Sequence, residues 1–226
     1  MGFSRETLQD IDNYIYGDLR SEDWHLKYFD YLGDSQLAKR LGEEFFSTRH
    51  LYKFYQGIEA SDSLMQAQVR IQILCYASIY EAVIHHILFS LMKDEARVQS
   101  LREYKTKKTI SLPANKSKIL QDSLNHDGKT IIPTYEDVAK TDDTKVRFDS
   151  KAECAYELGF IDQKLKEDLI EIFSARNAIH IHAEIRKGIA YELELSKMAY
   201  KRLLPLKDQT EKKIKELKIG SYTISE

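Results

Sequence analysis

The stretch Ile170–Ile185 reads IEIFSARNAIHIHAEI and places an arginine, an amide and two histidines in an otherwise apolar helical pattern. Around it, apolar residues recur at spacings of three and four, which predicts one stripe of an amphipathic helix. Arg176 falls on this stripe, where an apolar residue is expected. His180 follows four residues later, so a continuous helix would carry both side chains on nearly the same face. The stripe consists of Leu165, Leu169, Ile172, Ile179 and Ala183.

A permanently charged guanidinium on an apolar stripe needs either an acidic partner or an anion to face. The nearby imidazoles are groups that gain or lose a proton near neutral pH. This combination suits phosphate-ester chemistry, because the guanidinium can hold the phosphate while an imidazole moves protons. The alternative is structural: Arg176 pairs with Glu81, which lies in the apolar run of an earlier helix, and the histidines are ordinary half-buried residues.

The composition favours a helical protein with a substantial core. The 226 residues include only three prolines and nine glycines, and 42% of them are hydrophobic. The net charge of −2 excludes a globally basic protein, so contact with a nucleic acid would need a local patch. Cys75 and Cys154 are isolated, which argues against a disulfide framework or a zinc site and favours a reduced, cytoplasmic protein.

Neither a membrane span nor a membrane partner is expected. The N-terminus lacks the basic-then-apolar pattern of a signal peptide, and no apolar run is long enough to cross a bilayer. The most hydrophobic stretch, Ile71–Met92, is interrupted by four polar residues, namely Gln72, Glu81, His85 and His86.

Capping residues and hydrophobic periodicity predict helices in the first part of the chain. Ser4 is predicted to cap a first helix that ends near Leu19. Ser63 and Gln66 fit a capping box that opens the longest helix, which ends near Glu95. Because this helix is apolar on more than one side, we expect it at the centre of a bundle or in a dimer interface.

The segment 97–149 loses the helical period and is predicted to be an insertion. Short strands are expected at 109–112 and 130–132, with a small hairpin and a short helix near 116–124. The first part is locally basic and is a candidate patch for contacting RNA phosphates, although a solvated loop would have the same composition. The members assigned to this patch are Arg102, Lys105, Lys107 and Lys108.

Helical order is predicted to return after the insertion. Ser150 and Glu153 fit a second capping box, and Gly159 is expected to end the helix that follows. Asp162 is predicted to cap the helix that contains the opening stretch. A last long helix is expected from about 184 to 207.

Other catalytic signatures are missing from the sequence. It contains no Gly-rich phosphate loop, no Gly-x-Ser-x-Gly elbow, no Cys-x-x-Cys pair and no His-Glu-x-x-His motif. His180 and His182 form a His-x-His pair, but neighbours two apart on a helix diverge by about 200°. We therefore expect no metal and no cofactor.

The segment 148–182 resembles the C-terminal half of a HEPN domain. In that family a helix ends in Leu-Gly-hydrophobic-Ile, which matches the residues from Leu158 to Ile161. The next helix carries Arg, a polar residue that is often Asn, and then His after four to six intervening residues. Arg176 and Asn177 match the first two positions. His182 follows with five residues between, whereas His180 falls one short of that range.

The long helix 63–95, with its Ile-Tyr-Glu-Ala run at 79–82, is similar to an earlier core helix of the family, so the resemblance covers about 64–95 and 148–205. It implies an all-α, HEPN-like helical bundle. This chain would add N-terminal helices in 1–60 that pack on the core. The domain 61–226 would carry a mixed loop and short-strand insertion at 97–149.

The resemblance also implies a function. HEPN domains often dimerise with their Arg and His motifs facing one another, and many are metal-independent endoribonucleases of toxin–antitoxin, abortive-infection or CRISPR-linked defence systems. This implies a homodimer that acts on RNA, with an antitoxin or defence-system protein as a further partner. Arg176 would hold the phosphate, His182 or His180 would move protons, and Asn177 would orient one of them. The alternatives are a non-catalytic module that binds RNA or nucleotides and a structural interaction domain.

Overall fold

The computed structural model describes residues 2–124 and 127–219 and is mostly helical. The chain divides into two compact units, Met1–Lys93 with Arg147–Glu226, and Asp94–Val146. The elements are α1 (Arg5–Asp18), α2 (Glu22–Lys27), α3 (Ser35–Gly57), α4 (Asp62–His86), α5 (Ala96–Ser100), β1 (Glu103–Thr109), α6 (Ala114–Ser123), β2 (Thr134–Lys140), α7 (Phe148–Glu157), α8 (Gln163–Asn177), α9 (Ile181–Lys187), α10 (Leu193–Lys201) and α11 (Leu203–Leu217).

Helix α4 is the centre of the larger unit, as its apolar surface predicts. It packs against α3, α7, α8 and α10 and continues as one turn of π-helix, Ile87–Leu91. By length and composition the helix Asp62–Leu91 is sufficient to cross a membrane, but 61% of its most apolar window is buried inside the protein, as in the core helix of a soluble protein. Its fully buried side chains include Val69, Ile73, Tyr80, Val83 and Ile84.

Two buried polar side chains of α4, Tyr80 and His86, form hydrogen bonds with the backbone of other elements. The Tyr80 hydroxyl donates to the carbonyl oxygen of Ala199 on α10. The His86 ring donates from Nε2 to the carbonyl oxygen of Leu32 over 3.1 Å. These two bonds connect α4 to Leu32, which precedes it in the chain, and to α10, which follows it.

Several predicted helix ends are confirmed. The Ser4 hydroxyl caps α1 by accepting from the N–H of Thr7 at 3.1 Å. The Asp162 carboxylate caps α8 by accepting from the N–H of Leu165 at 2.7 Å. Gly159 follows the end of α7 in the left-handed region, with φ +76°, where a side chain would be strained.

The capping boxes predicted at Ser63 and Ser150 are wrong. Helix α4 begins at Asp62, and α7 begins at Phe148. The start of α7 is earlier than predicted because Phe148 is buried and stacks on Phe173 of α8, with ring centroids 4.2 Å apart. Tertiary burial thus outweighs the local capping signal.

The smaller unit contains an antiparallel hairpin whose strands pair from Glu103 with Lys140 to Thr109 with Thr134. The strands predicted at 109–112 and 130–132 are therefore wrong, since Thr109 is the one residue of these two ranges that belongs to a strand. Instead, the backbone of Ile131 is bound by the side chain of Gln121 on α6, which donates to its carbonyl oxygen and accepts from its N–H. A side-chain amide thereby replaces a strand partner.

The last long helix predicted at 184–207 is also wrong, because three helices occupy this region. Gly188 ends α9 in the left-handed region at φ +61°. Residues 188–192 lead into α10, and Arg202 separates α10 from α11. Pro205 lies in the first turn of α11, where its missing N–H has no intrahelical partner to lose.

The pairing of Arg176 with Glu81 is wrong. Glu81 instead accepts from Lys151 Nζ on α7 at 3.3 Å, and Lys151 is only 1% exposed. A buried ammonium requires an acidic partner, so Glu81 is committed to Lys151. Glu81 is therefore not the partner of Arg176.

Candidate functional site

The predicted continuous helix through 170–185 is interrupted between Arg176 and the two histidines. Helix α8 ends at Asn177, and the N–H of Ala178 turns back to the carbonyl oxygen of Ala175. His180 is extended, with φ −69° and ψ 126°, and α9 begins after it. The argument that Arg176 and His180 share one helical face is therefore wrong, since they lie on either side of the break.

Tertiary contacts fix the path of the chain after α8. The buried Tyr191 hydroxyl donates to the carbonyl oxygen of Ala175 at 2.8 Å, and this carbonyl lies in the last turn, where helices leave acceptors unsatisfied. Arg70 of α4 binds both carboxylate oxygens of Glu184 on α9 at 2.7 Å. The Arg70 guanidinium also lies 5.0 Å from the centre of the Tyr191 ring.

We expect Arg70→Gln to release α9 while α4 stays folded. The variant loses a half-buried, charge-assisted contact in which Nη2 of Arg70 donates to both carboxylate oxygens of Glu184, which should cost about 1–2 kcal/mol of unfolding free energy. Hydrogen exchange at the amides of α9 should become faster than in the parent. The control is Arg40→Gln, which breaks an exposed pair with Glu44 on α3 and should cost less than about 0.5 kcal/mol. Equal rates of hydrogen exchange at the α9 amides in the two variants would show that the ion pair between Arg70 and Glu184 does not hold α9 in place.

Arg176 and Asn177 are brought together at the end of α8. The Arg176 side chain is half-buried, donates from Nη1 to Oδ1 of Asn177 at 3.1 Å, and lies 5.1 Å from the ring centre of Phe173. Within residues 2–124 and 127–219, no carboxylate forms an ion pair with Arg176. The dipole of α8 favours a cation here, and the guanidinium is held in place without being neutralised by an acid.

The two histidines lie at the start of the next helix and are exposed. His180 immediately precedes α9, and His182 is in its first turn. In the part of the chain that the structure describes, neither ring has a hydrogen-bond partner. Ile181 and Ile185 of the same helix are 71% and 75% exposed. Helix α9 therefore presents imidazoles beside an uncovered apolar surface.

A groove beside α8 was not predicted from the sequence. One cavity of about 320 Å³ adjoins another of about 700 Å³, and they share Ile170, Ser174 and Lys187. Lys187 donates to the Ser174 hydroxyl at 3.1 Å. Asn177 lines the smaller cavity, whereas Arg176 and the two histidines line neither. No motif singles out these groove residues, because they come from separate elements.

The run of cations at 102–108 is divided by the alternation of β1. Lys105 and Lys107 lie on one face of the strand, and Lys108 lies on the other, where it pairs with Asp137 at 2.5 Å. Arg102 lies 3.6 Å from Asp143. An RNA-binding role for these four residues stays a prediction, and the geometry favours Lys105 and Lys107 as its members.

Comparison of the chain with protein-family models, with curated proteins and with solved structures finds no match. Among the described residues, no group of three or more His, Cys, Asp or Glu side chains is placed to hold a metal ion.

Proposed function

We propose that the protein is a metal-independent endoribonuclease of the toxin or anti-phage-defence type that acts as a cytoplasmic homodimer. The observation that carries the proposal is the Arg176 guanidinium, which has Asn177 beside it and no acidic partner in the described chain. Two exposed imidazoles, His180 and His182, follow within the next six residues. An available cation and proton-transfer groups are what the cleavage of a phosphodiester needs.

The reaction follows from these groups. One imidazole accepts the proton of the ribose 2′-hydroxyl as the 2′-oxygen forms a bond to phosphorus. The bond between phosphorus and the 5′-oxygen breaks, and an imidazolium donates a proton to that oxygen. Arg176 binds the phosphate oxygens, on which negative charge develops. The products are a 2′,3′-cyclic phosphate and a 5′-hydroxyl, and DNA resists because it lacks the nucleophile.

Self-association supplies the second half of the site in this proposal. Ile181 and Ile185 are one helical turn apart, so they form an apolar surface on α9 that the same helix of a second copy can cover. A two-fold axis through this surface repeats the Arg176 and histidine groups on both sides of one cleft. Either His180 or His182 can then serve as the working base.

The first test is incubation of the purified protein with a mixed RNA pool and a matched DNA in the presence of EDTA. RNA fragments that end in cyclic phosphate are expected, and DNA should stay intact. A second substrate carries one 2′-deoxyribose at a mapped cleavage position, and cleavage should stop there. Cleavage of that substrate at an unchanged rate would contradict the mechanism.

The dimer is tested by the double variant Ile181→Glu/Ile185→Glu. Charges on the uncovered apolar surface should prevent pairing, so sedimentation at several concentrations should show a dimer for the parent and a monomer for the variant. The rate of RNA cleavage should be lower in the monomeric double variant than in the parent. Leu8→Glu is the control, since Leu8 is 48% exposed on α1, which belongs to the same unit as α9. A monomeric parent, or a dimeric double variant, would contradict this arrangement.

A non-catalytic RNA-binding module is the second candidate. It is favoured by Lys105 and Lys107, which are exposed on one face of β1 and form no ion pair with any described residue. In this case the RNA stays intact but binds with an affinity that falls steeply as salt rises. Lys105→Gln/Lys107→Gln should then weaken binding and flatten the salt dependence, whereas Arg176→Ala should leave it unchanged.

A further inference from the structure

The hairpin of the smaller unit is a sheet of two strands, and its edges are not covered by a third. In the described chain, β1 and β2 pair with each other and with no other strand. A two-stranded hairpin is marginally stable in water unless a further strand or a helix packs on it. An open strand edge is also a template for pairing with another chain. The hairpin is therefore a candidate surface for a partner.

The hydrogen bonds at the two ends of the hairpin show which backbone groups of β1 face outward. The N–H of Thr141 donates to the carbonyl oxygen of Arg102, and that of Ile110 to the carbonyl oxygen of Pro133, both at 2.8 Å. Because hydrogen-bonded and non-bonded pairs alternate in an antiparallel ladder, the even-numbered residues of β1 bind β2. The residues whose N–H and C=O groups point away from β2 are Glu103, Lys105, Lys107 and Thr109.

The outer edge of β1 is open, whereas that of β2 is partly closed. On β2, the outward N–H of Val138 donates to the Asp137 carboxylate at 2.9 Å. Within residues 2–124 and 127–219, no such bond occupies an outward group of β1, and the four outward residues of β1 are exposed. The edge of β1 is therefore the one that can accept a further strand.

The side chains along this edge select for acidic residues. Lys105 and Lys107 lie on one face of β1, and neither forms an ion pair with a described residue. On the side of β2, Val138 lies opposite Lys105, so no acid faces that lysine across the hairpin. Opposite charges on directly paired residues stabilise neighbouring strands, and like charges destabilise them. A second copy of β1, centred on Lys105, would set this lysine against its own copy.

We propose that the outer edge of β1 binds an extended, acidic segment of a partner protein as a third strand. The outward N–H and C=O groups pair with the backbone of the segment, and two carboxylates, two positions apart, face Lys105 and Lys107. RNA phosphates would pair with the lysines and the N–H groups, but not with the carbonyl oxygens that alternate with them. A strand uses all three. The proposal does not depend on RNA cleavage, since neither lysine takes part in that reaction.

The test is the fluorescence anisotropy of a labelled, seven-residue peptide titrated with the full chain. The peptide has threonine first, glutamate third and fifth, lysine last, and valine at the other positions. Antiparallel to β1, it sets its glutamates opposite Lys107 and Lys105 and its lysine opposite Glu103. Saturable binding is expected, and absence of binding would overturn the proposal.

Methylation of the peptide backbone separates strand pairing from simple attraction between charges. N-methyl groups on the third and fifth residues remove the N–H groups that donate to the carbonyl oxygens of Lys107 and Lys105, and binding should weaken at least about tenfold. N-methyl groups on the second and fourth residues, whose N–H groups point away from β1, should change binding little. Equal binding of the two methylated peptides would overturn strand addition and favour a purely electrostatic surface, as RNA would use.

Charge reversal tests the role of the two lysines. Lys105→Glu/Lys107→Glu should lose the glutamate peptide and bind a peptide with lysine at the third and fifth positions. Lys105→Gln/Lys107→Gln should bind the glutamate peptide about threefold to tenfold more weakly than the parent. The control is Lys116→Glu/Lys118→Glu on α6, which changes the net charge equally and should bind as the parent does. Parent-like binding of the glutamate peptide by either variant of the β1 lysines, or failure of the lysine peptide to bind the reversed one, would overturn the proposal.

Discussion

The Arg176→Ala variant is expected to cleave RNA roughly 100- to 1000-fold more slowly than the parent, because it loses a cation that acts on charge developing in the transition state. The loss should appear in kcat more than in KM, since that charge is small in the bound substrate. Arg176→Lys should be intermediate, as it keeps the charge but loses the forked donor geometry. Single-turnover cleavage of a mapped RNA substrate measures this effect.

The double variant His180→Ala/His182→Ala should show a loss of at least about 100-fold, because it removes both candidate proton-transfer groups. Of the two single variants, the one that lacks the working histidine should match the double variant. His50→Ala is the control, since this imidazole packs against Tyr16 and Phe46 away from the site. Parent-like cleavage by Arg176→Ala or by the double variant would refute the catalytic role.

The Gly42→Ala variant is expected to lose about 2–4 kcal/mol of unfolding free energy. A Cβ atom at this position would lie 2.6 Å from the carbonyl oxygen of His25 and 2.6 Å from the Cα of Leu26. Both atoms belong to the backbone of α2, whereas Gly42 lies on α3. The two helices would therefore have to move apart, which disrupts a well-packed contact. Urea unfolding followed by circular dichroism measures the change.

Gly17→Ala is the matched control for this close approach. Gly17 also lies within a helix, α1, but a Cβ atom there would meet nothing within 4 Å. The substitution should therefore stabilise the protein by about 0.5–1 kcal/mol, because alanine loses less conformational freedom on folding. Destabilisation of similar size in both variants would show that the contact between α2 and α3 is not the cause.

The sequence predicts much of the helical fold because the signals involved are local. Ser4 and Asp162 cap their helices through a side chain that reaches an N–H three residues away, and Gly159 supplies a left-handed conformation at a helix end. The central position of α4 follows from an apolar surface too wide for a helix packed on one side. Each of these features depends on residues close together in the chain.

The arrangement of the site depends on contacts that the sequence does not show. No breaker stands at 178–180, and the helical pattern passes through Ala178 and Ile179 without interruption. The break is stabilised by Tyr191, which occupies a carbonyl oxygen of α8, and by the Arg70 pair with Glu184, which lie 114 residues apart. Periodicity cannot reveal contacts over such separations.

The sequence by itself determined the residue types at the candidate site, an arginine, an amide and two histidines, and the helical class of the protein. The tertiary structure decided that Glu81 binds Lys151, that Arg176 lacks an acidic partner among the described residues, and that the histidines begin a separate, exposed helix. The physical reason is that capping and periodicity act within a few residues, whereas the partner of a charge is chosen by the packing of elements distant in sequence.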